Sequence, residues 1–330
     1  MQHLHAALCA LALALAPLQG ALPAAPVWDA GAVDPARHPH APLEVRALDE
    51  TTYILRENLC DTPEAPFMYL LIGKERALLI DTGDLSDPAR APLARTVLGL
   101  LPVSATGRLP LLVVHTHKHL DHRRGDPQFD GLAGVAMVPP DLERVQAQFK
   151  FSNWPEGVAQ VDLGERVVDV LPAPGHHPAH LLFYDRRTAI LFSGDFLMPA
   201  RILVDDLDAY RASADRALRF FQDRPLSMAL GGHIEKNRAG ALFPWASTWH
   251  PDEAPLALGK ADLQALPAAL AAFHGLYREG GGFVIENPTR LLGLMVGGLA
   301  LAAAGGGYGL FRLIRRRRRR RTSQESAAKA

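Results

Sequence analysis

The run Thr116-His-Lys-His-Leu-Asp-His122 brings four side chains that can bind a metal into six residues: His117, His119, Asp121 and His122. Imidazole nitrogens and carboxylate oxygens suit zinc and similar divalent ions. A polar surface loop can also contain histidines, but it gives no reason for four such groups at this spacing. The run therefore predicts a metal site that keeps one position open for chemistry.

The stretch before this run predicts the element that positions it. Residues 109–114 are apolar throughout, with Pro110 near the start, which is typical of a short buried parallel strand. Open α/β sheets place their sites beyond the carboxyl ends of such strands. His117 and His119 are two residues apart, so an extended backbone directs them to the same side. Asp121 and His122 follow closely enough to reach a second ion ~3.5–4 Å from the first.

Five segments, in order, resemble the motifs of the metallo-β-lactamase fold superfamily. The H-x-H-x-D-H run resembles the second motif of that family. The other segments are residues 77–83 for the first motif, 173–176 for the third, 191–195 for the fourth and 230–233 for the fifth. The resemblance implies an α/β fold, an αββα sandwich of two mixed β-sheets flanked by helices.

The resemblance also implies two metal ions, with zinc favoured by the ligand types. The ligands it implies are His117, His119 and His176 for the first ion and Asp121, His122 and His233 for the second, with Asp195 bridging both. Asp81 would hold the motif loop through hydrogen bonds, as carboxylates around metal sites orient imidazoles.

Hydrolysis is the chemistry that such a site predicts. Two divalent ions lower the pKa of a shared water towards neutral and polarise a substrate carbonyl. Asp121 would also be the catalytic residue that orients the attacking hydroxide and carries its proton to the leaving group. Glyoxalase II enzymes and lactonases of the family keep the bridging Asp, whereas true β-lactamases lack it, so Asp195 favours a small ester, thioester or lactone as substrate.

Two other functions remain open at this point. Persulfide dioxygenases of the family retain much of the same pattern with a single iron ion. A metal-stabilised binding module without catalysis would also carry these ligands. Di-iron oxidoreductases of the family usually have Glu at the second histidine of the run, so His119 disfavours that chemistry.

Arg123 and Arg124 depart from the family pattern, in which an apolar residue and glycine are common. Two guanidinium groups beside the metals could hold an anionic group of the substrate. They could equally point to solvent. The sequence leaves both interpretations open.

The two ends of the chain predict a membrane location. Residues 1–25 have the apolar core of a signal peptide, and 26–42 read as a spacer before a catalytic domain over 43–288. Residues 291–311 contain no charged side chain and are long enough to cross a ~30 Å hydrocarbon layer. The arginine-rich tail over 312–330 would stay in the cytoplasm. We therefore expect a single-pass protein of the cytoplasmic membrane whose catalytic domain lies outside.

Charge and cysteine content exclude some partners. The formal net charge of the 330 residues is zero, and eight arginines lie within 312–321, so the rest of the chain carries about −8. An acidic surface disfavours nucleic acid as a ligand and leaves a small molecule as the expected substrate. Cys60 is the one cysteine after the predicted signal, so no internal disulfide is expected.

Apolar patterning predicts an alternation of strands and helices. The predicted strands are 44–48, 51–56, 67–73, 77–81, 109–115, 134–138, 166–171, 180–185, 188–193 and 227–231. The predicted helices are 90–101, 139–149, 205–222 and 260–278.

Overall fold

The structure, a computed structural model, describes residues 27–105 and 107–327. The predicted signal peptide lies outside the described residues. The strands are β1 Leu43–Asp49, β2 Thr52–Glu57, β3 Phe67–Ile72, β4 Ala77–Ile80, β5 Val103–Ser104, β6 Gly107–Arg108, β7 Leu111–Val114, β8 Val135–Met137, β9 Ala159–Asp162, β10 Val167–Pro172, β11 Leu181–Asp185, β12 Ile190–Gly194, β13 Arg201–Leu203, β14 Met228–Gly231, β15 Ala257–Leu258, β16 Tyr277–Glu279 and β17 Val284–Glu286. The helices are α1 Leu93–Leu100, α2 Leu142–Phe149, α3 Leu207–Phe220, α4 Lys260–Ala271 and α5 Pro288–Ala327.

Two six-stranded sheets form the centre of the described fold. The first has the order β1-β2-β3-β4-β7-β8 and the second the order β15-β14-β12-β11-β10-β9. Both are mixed: β4, β7 and β8 run parallel in the first, and β12 and β14 run parallel in the second, while the remaining neighbours are antiparallel. A three-stranded sheet, β13-β17-β16, and the small pair β5-β6 lie outside these two.

Side chains that alternate along buried strands give each sheet two apolar faces. Phe67 and Tyr69 of β3 point into the layer between the sheets, where they belong to the same apolar cluster as Phe183 of β11. Met68 and Leu70 point to the opposite face, which α1 covers. Helices α3 and α4 cover the outer face of the second sheet in the same way. The layers are therefore helix, sheet, sheet, helix, and the predicted αββα sandwich is confirmed.

All ten predicted strands and four predicted helices are present, with shifts of a few residues at their ends. The strands that the patterning missed have two to four residues, too few to show a period of two. The helix predicted over 260–278 ends at Ala271, because the chain turns at Gly275 and starts strand β16 at Tyr277.

The C-terminal helix α5 begins at Pro288 and continues through the arginine run. Within the described ranges, no helix is both long enough and apolar enough to cross a membrane. The transmembrane helix predicted over 291–311 is therefore not supported. Glycines such as Gly293, Gly297 and Gly298 lower the apolar content of this segment.

Candidate metal centre

Five strands end at one edge of the sandwich, and each is followed by a predicted site residue. In the first sheet, β4 precedes Asp81, and β7 precedes the run from His117 to His122. In the second sheet, the residues that follow β10, β12 and β14 are His176, Asp195 and His233. Because β10, β12 and β14 run in the same direction, their carboxyl ends share that edge.

One group of side chains at this edge consists of His117, His119 and His176. The distance from His117 Nε2 to His119 Nδ1 is 2.9 Å, and His176 Nε2 lies 3.1 Å from each of these atoms. Each ring nitrogen either donates a proton or accepts one. Three nitrogens this close together therefore cannot all form hydrogen bonds with one another. Their geometry suits a shared cation.

A second group lies beside it and consists of Asp121, His122, Asp195 and His233. Asp121 Oδ2 is 3.2 Å from His122 Nε2 and 3.2 Å from His233 Nε2. The two imidazole nitrogens are 3.3 Å apart. In each group the candidate ligand atoms all lie within 4.8 Å of one another.

Asp195 joins the two groups. Its Oδ1 is 3.3 Å from His122 Nε2 and 3.7 Å from His233 Nε2, in the second group. Its Oδ2 is 3.5 Å from His176 Nε2 and 4.0 Å from His117 Nε2, in the first group. Oδ1 is buried and has no hydrogen-bond partner among the described residues. A buried carboxylate oxygen without a donor is costly, and a cation between the groups would satisfy it.

Hydrogen bonds behind the site fix which ring nitrogen faces it. Four histidines donate through Nδ1, which directs Nε2 at the site as the atom that could bind a cation. The acceptors are Thr116 Oγ1 for His117, Asp81 Oδ2 for His122, the Leu203 carbonyl for His176 and the Glu64 carbonyl for His233. His119 differs, because it presents Nδ1 to the first group. The residues therefore fit metal ions at both groups.

Electrostatics support the same interpretation. Burial lowers the pKa of His117, whose histidine neighbours add to the effect. Burial alone would also lower the pKa of His122 and His233, but carboxylates, above all Asp121 and Asp195, outweigh it and raise the pKa of His233 to about 10. Without a metal, the two carboxylates thus favour protonated histidines beside them. A divalent cation would supply that positive charge instead.

Glycines allow the close approach of these loops. A Cβ on Gly232 would lie 2.4 Å from Asp195 Oδ1 and 2.8 Å from His122 Cε1. A Cβ on Gly175 would lie 2.4 Å from the Cα of Tyr210 on helix α3. The glycine before each outlying histidine is therefore required by packing.

A cleft of about 170 Å³ opens over the two groups. Beyond the metal-binding groups, it is lined by Glu64, Met198, Arg201, Leu203, Glu235 and Trp245. Arg201 is buried; its Nη1 is 3.1 Å from Glu235 Oε1, and its guanidinium lies 4.4 Å from the centre of the Trp245 ring. Sequence reasoning missed these six residues, because they lie in loops or in the three-residue strand β13 and belong to no motif.

The two arginines beside the motif do not line this cleft. Arg123 donates through Nε to the Lys118 carbonyl at 3.0 Å. Arg124 Nε is 3.0 Å from Asp84 Oδ1, in a separate depression. Arg201 is the guanidinium that the structure places at the cleft.

Three further histidines lie near the motifs. His115 is buried and satisfied, with Nε2 2.8 Å from Asp126 Oδ1 and Nδ1 3.2 Å from the Val138 carbonyl. His177 accepts a hydrogen bond from the backbone N–H of Ala179, as a loop residue would. His180 is buried and stacks on His117 with a centroid distance of 5.1 Å, and neither of its ring nitrogens has a partner among the described residues.

Known proteins resemble this chain over most of the described fold. The family described as the Metallo-beta-lactamase superfamily matches residues 61–233, just over half of the chain. An acyl-coenzyme A thioesterase, MBLAC2, from Gallus gallus is 25% identical over 241 residues, which cover 62% of this chain and 85% of that protein. A hydroxyacylglutathione hydrolase from Mesorhizobium japonicum is 24% identical over 116 residues, covering 35% of this chain and 43% of that protein.

Among solved structures, the metallo-beta-lactamase from Pontibacter korlensis superposes with a TM-score of 0.44 at 18% identity, covering 70% of this chain and 100% of that chain. The family match and the two His/Asp groups, which are consistent with a dinuclear metal site, agree with each other. The chain belongs to the metallo-beta-lactamase superfamily and is a hydrolase of that family with two groups of side chains that could hold metal ions.

Proposed function

We propose that this protein is a thioesterase that uses two metal ions, with zinc as the favoured metal, to hydrolyse the thioester of a small acyl carrier. The observation that carries the proposal is the position of Asp195, which directs one carboxylate oxygen to each group of ligands. The relatives named as an acyl-coenzyme A thioesterase and a hydroxyacylglutathione hydrolase support the choice of a thioester over an ester or lactone.

The ions would supply a water of lowered pKa and a positive charge beside the substrate carbonyl. The protein's own residues would do the rest. Asp121 Oδ2 faces both His122 and His233 at 3.2 Å, so this carboxylate can orient the attacking water and accept its proton. That proton would then pass to the departing thiolate.

The cleft residues support a short or flexible acyl group. Met198, Leu203 and Trp245 offer apolar contacts beside the metal-binding groups. Glu64 lies at the wall of the cleft, where burial of its carboxyl, with a further contribution from Asp121 and Glu235, raises its pKa. The second group has a full set of candidate ligands, which favours a hydrolase with two metal ions over the alternative function that uses a single iron ion.

Metal content and thiol release test the proposal together. The full chain should contain about two metal ions and release thiol from acyl-coenzyme A or hydroxyacylglutathione thioesters. Asp195→Asn should reduce turnover by about 100-fold or more, since it weakens both metal groups. The exposed Asp130→Asn serves as a matched control. One iron per chain, oxygen uptake with a persulfide and no thioester turnover would contradict the proposal.

The predicted location outside the cytoplasmic membrane stays a proposal from the sequence. Export of the chain can be tested by fractionating cells and detecting the protein with and without residues 1–25. Equal fractionation of the two forms would contradict it.

A further inference from the structure

A second cavity, of about 320 Å³, lies between helix α3 and the segment that leads into strand β9. Its charged lining consists of three arginines, Arg216, Arg219 and Arg224, and one carboxylate, that of Glu156. None of the candidate metal ligands lines this cavity. Its lining therefore carries an excess of two positive charges, away from the metal centre.

Arg216 is the buried one of these three arginines. Its side chain is 10% exposed. Nη2 donates to Ser213 Oγ at 2.7 Å and Nη1 donates to Glu156 Oε1 at 3.2 Å. The Nε donor is buried and has no acceptor within the described part of the chain. A buried donor without an acceptor is costly, so this guanidinium has bonding capacity left for a ligand.

The protein supplies too little negative charge to satisfy the three arginines. Glu156 is half-exposed, and its Oε2 lies 3.8 Å from Arg219 Nη2, which is beyond hydrogen-bond length. Arg224 donates to the Phe220 carbonyl at 2.8 Å and places its guanidinium 4.2 Å from the centre of the Phe220 ring. Within the described part of the chain, Arg224 forms no ion pair with a carboxylate.

We propose that this cavity is a binding site for a phosphate group, either free phosphate or a phosphate monoester with a small apolar part. Guanidinium groups match the geometry of phosphate oxygens, and a dianion would balance the excess charge of the lining. The neighbouring apolar side chains of Val158 and Leu182 and the ring of Phe220 would contact the apolar part of a monoester.

Calorimetric titration of the full metal-loaded protein with inorganic phosphate and with phenyl phosphate tests the proposal. One saturable site is expected, with a Kd that rises with salt. Tighter binding of phenyl phosphate would identify a monoester as the ligand class, and equal binding would identify free phosphate. Absence of saturable binding by both would overturn the proposal.

Charge variants separate this site from the metal centre. Arg219→Gln, at a largely exposed position, should weaken binding about tenfold, and Glu156→Gln should strengthen it several-fold. Arg144→Gln, on the exposed face of helix α2, is the matched control and should leave the Kd unchanged. Binding that is lost in Asp195→Asn and unaffected by Arg219→Gln would place the phosphate at the metals and overturn the proposal. None of these readouts depends on thioester hydrolysis.

Discussion

Asp81 accepts a hydrogen bond from His122 Nδ1 at 2.9 Å, which leaves His122 Nε2 to face the second group of metal ligands. The same carboxylate accepts the backbone N–H of Thr116 at 2.7 Å. It thus ties the end of strand β4 to the start of the metal-binding run. Asp81 itself has a positive φ of 66°, an unusual conformation for a non-glycine residue that places the carboxylate under the loop.

Asp81→Asn should weaken the second metal group selectively. An amide nitrogen in place of Oδ2 cannot accept the His122 proton, so the proton would move to Nε2 and block that ligand atom. We expect metal affinity at one of two sites to fall by roughly 10- to 100-fold, as for other residues that orient ligands. Titration with a chelator, followed by metal analysis, measures this. Equal loss at both sites, or none, would contradict the assigned role; Asp130→Asn is the control.

Gly232→Ala should disrupt the same group by a steric route. Its Cβ would meet Asp195 Oδ1 at 2.4 Å and His122 Cε1 at 2.8 Å, both shorter than any normal contact. We expect roughly one metal ion per chain instead of two and a large loss of turnover. Gly99→Ala, on helix α1 with no atom near its added Cβ, is the matched control and should behave like the parent protein. A Gly232→Ala protein with two ions would show that the loops can move apart.

The candidate metal ligands could be predicted from the sequence, whereas the residues around them could not. The reason is physical. Metal ligands are restricted to a few residue types, and their loops need fixed spacing, so His117, His119, Asp121 and His122 form a local pattern. His176, Asp195 and His233 became visible only through their order along the chain. The structure brings all seven side chains together.

The cleft wall could not be predicted in this way. Arg201 reaches the cleft from strand β13, which pairs with β17 about eighty residues later in the chain. A three-residue strand has too few positions to show periodicity, and its pairing is a long-range contact. Arg123 and Arg124 are adjacent to the metal-binding run in sequence, but the chain turns there and directs their side chains to Lys118 and Asp84.

Glu57 should make stability fall as the pH rises. Its buried carboxyl has a pKa raised to about 8, chiefly by burial, with further repulsion from Asp84 and Asp61. Because the folded pKa exceeds the unfolded value, the stability due to this group is complete below about pH 4.5 and is lost as the pH rises to about 8. The loss approaches about 1.4 kcal/mol per pH unit within that window.

Glu57→Gln tests this, because glutamine resembles the protonated acid and does not titrate. The variant loses one of the two backbone hydrogen bonds that the Glu57 oxygens accept from Asp84 and Leu85, so its stability at any one pH differs from that of the parent. Urea unfolding at pH 5 and pH 8.5 should show a fall in stability with pH for the parent protein and a much smaller fall for the variant. The exposed Glu50→Gln should follow the parent protein at both values. A Glu57→Gln protein that loses stability with pH as the parent does would refute the assignment.

Arg166 should stabilise the fold mainly because its positive charge compensates the buried carboxylate of Asp185. Its side chain and that of Asp185 are 2% and 0% exposed, with Nη2 2.7 Å from Oδ2. Nη1 also donates to the carbonyls of Thr51 and Ile72, at 2.7 Å and 3.1 Å, so the guanidinium links the two sheets. Arg166→Met leaves the carboxylate buried without its partner, which typically costs about 3–5 kcal/mol.

A double variant distinguishes the effect of the unpaired charge from the effect of the lost hydrogen bonds. If the unpaired charge dominates, the double variant Arg166→Met with Asp185→Leu should be more stable than Arg166→Met alone, since it removes the carboxylate as well. Lys74→Met is the matched control, because its pair with Glu165 is exposed to solvent and should add nothing measurable. Urea unfolding of the four proteins measures the order. A double variant less stable than the single one would show that the hydrogen bonds Asp185 accepts from Arg187 and Thr188 matter more than its unpaired charge.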